Sequence, residues 1–127
     1  MIDHVSVPVS DLPSAEQFYQ ALLVPLGLTR LVSREATVGF GKRYPEFWLN
    51  LRPAAIPAEN PGGHICLRAP DEDAVRTFHR IALEQGATDE GAPGPRDGAM
   101  TGYFAAFIID RDGNKIEAAT FPSASPA

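Results

Sequence analysis

One cysteine stands in the 127 residues, Cys66, so the chain cannot close an internal disulfide. It lies in the apolar run Ile65-Cys66-Leu67 and reads as a small buried hydrophobe of a reduced compartment. No apolar stretch approaches the roughly 20 residues that a membrane-spanning helix needs. The N-terminus shows no charged segment followed by an apolar one, so no secretory signal is expected. The longest basic cluster, Lys42-Arg43, is too short to displace counterions from a nucleic-acid backbone, and the net charge of −5 argues the same way. These absences leave a cytoplasmic protein, with neither nucleic acid nor membrane as partner, as the expectation. An apolar fraction of 44% and a charged fraction of 21% are those of a globular chain, with room for one domain or two small repeats on one core.

The chain does contain a repeat. His4 and His64 each open a β-like run; an Asp follows seven residues later (Asp11, Asp71) and a Phe fourteen later (Phe18, Phe78). Gly-x-Thr then closes a helical stretch in both copies, at Gly27-Leu28-Thr29 and at Gly86-Ala87-Thr88. A repeat of half the chain means two similar units. A pseudo-twofold axis between them would make His4 and His64 equivalent positions on one cleft.

Alternation over Ile2 to Val9 predicts a first strand, with Pro8 marking an edge because it cannot donate to a ladder. Asp11 to Ser14 begins a helix whose buried stripe is Ala15, Phe18, Tyr19, Leu22 and Leu23, and Pro25 and Gly27 end it. Short strands are expected at 28–32, 36–41 and 46–51. Residues 53–63 form a linker between a first module, 1–52, and a second, 64–121, with 122–127 as a tail. The second module repeats the plan: a strand from His64, a helix over Asp71 to Gln85 with His79 on its surface, and a short strand at 88–92. A Gly/Pro-rich loop follows from Gly91 to Thr101. A hairpin then turns at Asp112-Gly113 between strands 103–109 and 115–120. The expected fold is α+β: two tandem βαβββ modules forming a curved mixed sheet around a shared cleft.

Side chains two apart share a strand face. Glu117 therefore sits mid-strand between Ile116 and Ala118, a carboxylate in apolar surroundings that needs a partner. His4, His64 and Glu117 make a two-His, one-carboxylate set of the kind that holds Zn²⁺, Fe²⁺, Ni²⁺, Mn²⁺ or Co²⁺. Repeat logic asks for a fourth ligand on the last strand of the first module, where Glu46, Trp48 and Asn50 share a face. Glu46 suits the chemistry best; Trp48 would be an aromatic wall.

The segments Ile2 to Val7, Phe18-Tyr19 with Leu26-Gly27-Leu28, Gly63-His64-Ile65 and Asp110 to Glu117 resemble the vicinal oxygen chelate superfamily. That superfamily contains glyoxalase I, bleomycin-resistance and fosfomycin-resistance proteins and extradiol dioxygenases. The final Asp-x-Asp-Gly-Asn-x-Ile-Glu is the most specific match. The resemblance implies metal ligands on the first and last strands of each module, hence His4, His64 and Glu117, with a glyoxalase-type fourth ligand falling between Glu46 and Asn50. It implies a divalent metal ion (Zn, Ni, Mn or Fe), a small-molecule substrate and a homodimer. It also implies a metal-dependent enzyme of the lyase or isomerase type, with Glu117 or Glu46 as proton-transferring base. Trp48, Tyr103 and Arg96 are the expected substrate contacts, with Phe104 as a further aromatic wall and Arg96 holding an anionic group. A metal-free binder of the bleomycin-resistance type is the alternative, and a ring-cleaving dioxygenase ranks below it for want of a third site histidine.

Overall fold

The computed structural model describes residues 1–53, 62–96 and 102–121. The expected linker lies mostly outside these residues, and the expected tail wholly so. The first module runs β1 (Val5–Val9), α1 (Leu12–Leu23), a 3-10 turn (Val24–Leu26), β2 (Thr29–Ser33), β3 (Thr37–Gly41) and β4 (Pro45–Leu51). The second runs β5 (Ile65–Arg68), α2 (Glu72–Glu84), β6 (Thr88–Pro95), β7 (Phe104–Ile109) and β8 (Lys115–Thr120). Each module folds into one four-stranded sheet, ordered β1-β4-β3-β2 and β5-β8-β7-β6. In each, the first strand lies parallel to the last and the other pairs are antiparallel. The fold is thus the expected α+β pair of βαβββ modules.

The repeated residues explain why the two halves fold alike. Asp11 and Asp71 are the helix N-caps: their carboxylates accept from Ser14 N at 3.1 Å and Ala74 N at 2.8 Å. Such a cap is worth about 1 kcal/mol. Gly27 and Gly86 adopt left-handed φ values of 86° and 99°, which only glycine takes without strain. The chain can therefore reverse after each helix and enter β2 at Thr29 and β6 at Thr88.

One core serves both modules. α1 and α2 pack against each other as well as on their own sheets, and Tyr19, Leu22, Leu23, Phe40, Phe47, Phe78, Ile108 and Ile116 are fully buried between them. Two expectations fail here. His79 is buried, not on the surface. It lies four residues after Val75 and three before Ala82, inside the apolar stripe of α2, and its Nε2 meets Asp89 Oδ1 at 2.8 Å. Cys66 is exposed, not buried. In β5 the neighbours Ile65 and Leu67 turn to the core, so strand alternation sends Cys66 and Arg68 to the opposite face. β6 also outruns the expected strand by three residues, to Pro95, through two register shifts against β7.

Tyr19 occupies the position of the first repeat that His79 holds in the second. Its hydroxyl donates to Asp110 Oδ2 at 2.5 Å, across the module boundary. Burial pushes the Tyr19 hydroxyl well above its ordinary value of 10, and the charges of Asp110 and Asp112 push the same way. Burial likewise raises Asp110, against the lowering effect of its hydrogen bonds to Tyr19 and Asn114. An unfolded tyrosine ionises near 10, whereas the folded one holds its proton more tightly. The stability this confers is therefore complete below that pH and lost as pH rises toward the folded value. Urea denaturation between pH 8 and 11 should show this loss. Tyr19→Phe should start about 1–2 kcal/mol lower at neutral pH and decline less steeply in alkali. An equally steep decline in the variant would mean that Tyr19 is not the group responsible.

Candidate functional site

The strand registers define one row of side chains across each sheet. In the second sheet Cys66 pairs with Glu117, Glu117 with Phe107, and Phe107 with Gly91. Ile116 and Ala118 point to the core, so Lys115, Glu117 and Ala119 take the face away from the helices. His64 immediately precedes β5 on the edge of that face.

Glu117 is the centre of the row. Its residue is only 2% exposed, yet its carboxylate is fully partnered. Oε1 lies 2.8 Å from His64 Nε2, and Oε2 accepts from the Tyr103 hydroxyl. The Cys66 thiol lies beside the same carboxylate: partial burial of the sulfur, within a residue that is exposed as a whole, then the charge of Glu117 and hydrogen bonding to it push the thiol up to about 12, with Arg68 opposing. Tyr103 is stacked on Phe121 at 5.1 Å between centroids, and the Arg68 guanidinium lies 4.7 Å above the Phe121 ring. The His64 ring stands 5.8 Å from Phe107. Second-module residues thus supply an imidazole, a carboxylate, a phenol and an aromatic floor on one surface.

The same row in the first sheet reads Ser6, Trp48, Gly39, Val32. Trp48 therefore holds the place that Glu117 holds in the second module, because it pairs with the residue two beyond His4 as Glu117 pairs with the residue two beyond His64. Glu46 lies two residues earlier, and its Oε1 accepts from the Lys42 backbone at 3.3 Å. Asn50 pairs with Pro8. A side chain at Gly39 would put its Cβ 2.9 Å from Pro45 Cβ and 3.0 Å from the Trp48 ring, so the bare backbone lets the indole lie across β3. Gly91 does the same for Phe107, at 2.9 Å.

His4 precedes β1, just as His64 precedes β5, but its side chain is 54% exposed and its Nδ1 meets Asp3 Oδ1 at 2.8 Å. Among the described residues of one chain, no group of three or more His, Cys, Asp or Glu side chains is gathered closely enough to hold a metal ion. The chain brings His64, Glu117 and Tyr103 together; it does not bring His4 or Glu46 to them. Arg96 borders the same face, with its guanidinium donating to the carbonyl oxygens of Ala92 at 2.6 Å and Gly94 at 3.3 Å. Phe104, expected as a cleft wall, instead belongs to the core, since it alternates with Ala105 along β7 and lies beneath Arg76. Sequence reasoning missed Cys66, Arg68, Phe107 and Phe121 as site neighbours. Alternation from His64 points to Cys66 and Arg68, whereas Phe107 needs the β7–β8 register.

A cavity of about 390 Å³ lies elsewhere, between the start of α1 and the β7–β8 turn. The buried groups on its wall, Tyr19 and Asp110, already bond each other, so they offer a ligand little.

Comparison with known proteins places this geometry. The profile of the Glyoxalase/Bleomycin resistance protein/Dioxygenase superfamily matches residues 1–118. A glyoxalase/bleomycin resistance protein from Albidiferax ferrireducens is 33% identical, with a TM-score of 0.80 over 93% of this chain and 97% of that one. The genomically encoded fosfomycin resistance protein FosX from Listeria monocytogenes is 15% identical, with a TM-score of 0.70 over 97% of this chain and 94% of its own. A mutant of FosX, bound to Mn(II) and 1S,2S-dihydroxypropylphosphonic acid, superposes with a TM-score of 0.68 at 15% identity, covering 93% of this chain and 87% of its own. Among curated proteins none matches.

Trp48 is the sole tryptophan, so its fluorescence reports the first-module face directly. Gly39→Ala should displace the indole, shift its emission maximum and cost about 1–3 kcal/mol in denaturant stability. An unchanged spectrum at full stability would show that the indole does not rest on β3.

Proposed function

Because the chain belongs to the Glyoxalase/Bleomycin resistance protein/Dioxygenase superfamily, we propose that it is a glyoxalase-like, metal-dependent enzyme of the lyase or isomerase type, acting on a small substrate that offers two oxygens to a divalent metal. One observation carries the reading: a buried carboxylate touches an imidazole at 2.8 Å on an open sheet face. Two atoms that each lie about 2.1 Å from one ion sit about 3 Å apart at near-octahedral angles, so His64 Nε2 and Glu117 Oε1 have a spacing suited to neighbouring ligands. Zn, Ni, Mn and Fe all accept this pair.

The third ligand is the partner's His4. Within one chain His4 is turned to Asp3, so the reading requires an isologous homodimer in which β1 of each copy approaches the second module of the other. Trp48 stands where a fourth ligand would be, which leaves three protein ligands and a wall of indole. When bound, the metal supplies Lewis-acid polarisation of substrate oxygen. The remaining chemistry belongs to the chain. Glu117 moves a proton between adjacent substrate carbons. The Tyr103 hydroxyl orients that carboxylate, the Trp48 and Phe107 faces exclude water, and Arg96 borders the substrate. The cytoplasm is the compartment in which an exposed free thiol such as Cys66 persists.

A second reading, a metal-free small-molecule binder of the bleomycin-resistance kind, is favoured by a different observation. Both oxygens of Glu117 are already satisfied by His64 and Tyr103. A ring-cleaving dioxygenase ranks last, because the one further histidine, His79, is bonded to Asp89 behind the second sheet.

Elemental analysis of protein purified without chelator separates these readings. About one transition metal per chain is expected, lost in His4→Ala, His64→Ala and Glu117→Gln. Refolding His4→Ala and His64→Ala chains together should restore about a quarter of the sites if ligands come from two copies, because each mixed dimer then has one intact site. Absence of metal in every sample, with none taken up on addition of Mn(II) or Zn(II), would overturn the enzyme and leave the binder.

A further inference from the structure

We infer that the substrate carries an anionic group, a carboxylate or phosphate-type oxyanion, held by Lys115 and Arg96 beside the ring of Phe107. The inference rests on the proposed metal-dependent reading for the substrate's other end, but not for the anion site itself. Lys115 Nζ lies 5.0 Å and Arg96 Cζ 5.6 Å from the centroid of that ring, and the His64 ring stands 5.8 Å from it. Two side chains that carry positive charge, Lys115 and Arg96, therefore lie within 6 Å of one aromatic ring, in a chain whose net charge is −5.

None of the ion pairs among the described residues involves Lys115 or Arg96. The carboxylate in the same row, Glu117, is taken by His64 and Tyr103. Asp89 feels the charge of Arg96, but its Oδ1 accepts from the Gly91 backbone and meets His79. The partners Arg96 does have are the carbonyl oxygens of Ala92, Gly94 and Pro95. Carbonyls fix a guanidinium in place without cancelling its charge, which is the requirement for a preorganised anion contact. Gly91 makes the arrangement possible, since a Cβ there would lie 3.2 Å from Arg96 Nη2 and 2.9 Å from Phe107 Cδ1.

The neighbourhood strengthens the contact. The ring of Phe107 and the sheet beneath it exclude water from one side, so a charge pair formed there is less screened than one in bulk solvent. The acidic remainder of the chain repels anions, but in about 0.1 M salt that repulsion is screened beyond about 10 Å. Attraction is therefore local and selects a ligand that reaches Phe107. Lys115 and Glu117 lie two positions apart along β8, with only Ile116 between them, so one small molecule spans the anion contact and the proton-transferring carboxylate, about 7 Å apart along the strand.

Calorimetric titration of chelator-treated protein at low ionic strength tests this, with inorganic phosphate and acetate as separate probes. Saturable binding is expected for at least one, and the tighter of the two identifies the class of anion. Lys115→Gln and Arg96→Gln should each weaken it about tenfold, the worth of one charge-assisted hydrogen bond. Arg68→Gln, on the same face but beside Phe121, should leave it unchanged. Should Arg96→Gln loosen its own turn, Lys115→Gln, whose side chain makes no hydrogen bond among the described residues, decides alone. No saturable binding of either probe, or equal weakening by Arg68→Gln, overturns the inference. Mn(II) uptake on the same samples keeps the two proposals apart: anion binding without metal uptake sinks only the metal, and metal uptake without anion binding sinks only the anion contact.

Discussion

The structure turns on the carboxylate of Asp110, at the start of the β7–β8 turn. Its Oδ1 accepts from the backbones of Asp112 at 2.9 Å and Asn114 at 2.8 Å; its Oδ2 accepts from Asn114 Nδ2 at 2.9 Å and from Tyr19. Three of these bonds shape the turn, and the fourth ties it to the helix of the other module. The surrounding contacts reinforce the junction: Asn114 Nδ2 also donates to the Pro8 carbonyl, and Ser10 donates to Asp112 through both its backbone and its hydroxyl. A buried carboxylate stripped of one of these donors would keep its desolvation cost and lose its compensation, so the joint is asymmetric: mild when complete, costly when broken. Its consequence for the site is direct. β8 begins at Lys115, one residue past Asn114, so the height and register of Glu117 are inherited from a turn that Tyr19 holds in place.

Two repeats with the same backbone plan have parted on their open faces. Support positions remain matched, with Asp11 and Asp71 as caps and Gly27 and Gly86 as left-handed turns. Tyr19 and His79 are likewise buried rings bonded to an Asp from outside their helix. In the rows across the sheets, by contrast, Ser6 corresponds to Cys66, Trp48 to Glu117, and Gly39 to Phe107. Each row still contains one large ring lying on one glycine, Trp48 on Gly39 and Phe107 on Gly91, but displaced by one strand. That displacement makes room in the second module for a carboxylate beside the ring. The open face of the first module carries an indole, and that of the second carries an imidazole, a carboxylate and a phenol.

Much of this was legible in the chain. The fold followed from the repeat, because the spacing from histidine to Asp, Phe and Gly-x-Thr marks a strand, a capped helix and a glycine turn, all local devices. Glu117 was legible for the same reason, as an acid interrupting an apolar strand. What could not be read was register. Glu46 and Trp48 share a face of β4, and only the pairing of Trp48 with Ser6 shows which of them is the counterpart of Glu117. Burial was misjudged where a residue's immediate neighbours spoke against its place in the period: Cys66 sits between two core residues but alternates away from them, and His79 is polar but lies on the apolar stripe of α2. In both, geometry overrode composition. Phe107 was invisible because its role depends on a cross-strand partner and on the absence of a side chain at Gly91.

Glu117 carries a tension that accounts for the rest of the face. A carboxylate at 2% exposure is expensive to bury and persists only with donors on its oxygens. His64 and Tyr103 supply them, and neither lies within a strand: His64 precedes β5, and Tyr103 precedes β7 and rests on Phe121. Glu117 itself is fixed in the sheet, paired with Cys66 on one side and Phe107 on the other. A fixed carboxylate with partners from outside the strands is the arrangement that the proposed role of Glu117 calls for. A purely structural acid would be expected to show the opposite pattern, the one Asp110 shows, with partners drawn from a turn backbone and a buried helix. The two acids of the second hairpin, seven residues apart, thus carry opposite designs, and the proposed role of Glu117 rather than Asp110 draws on that contrast.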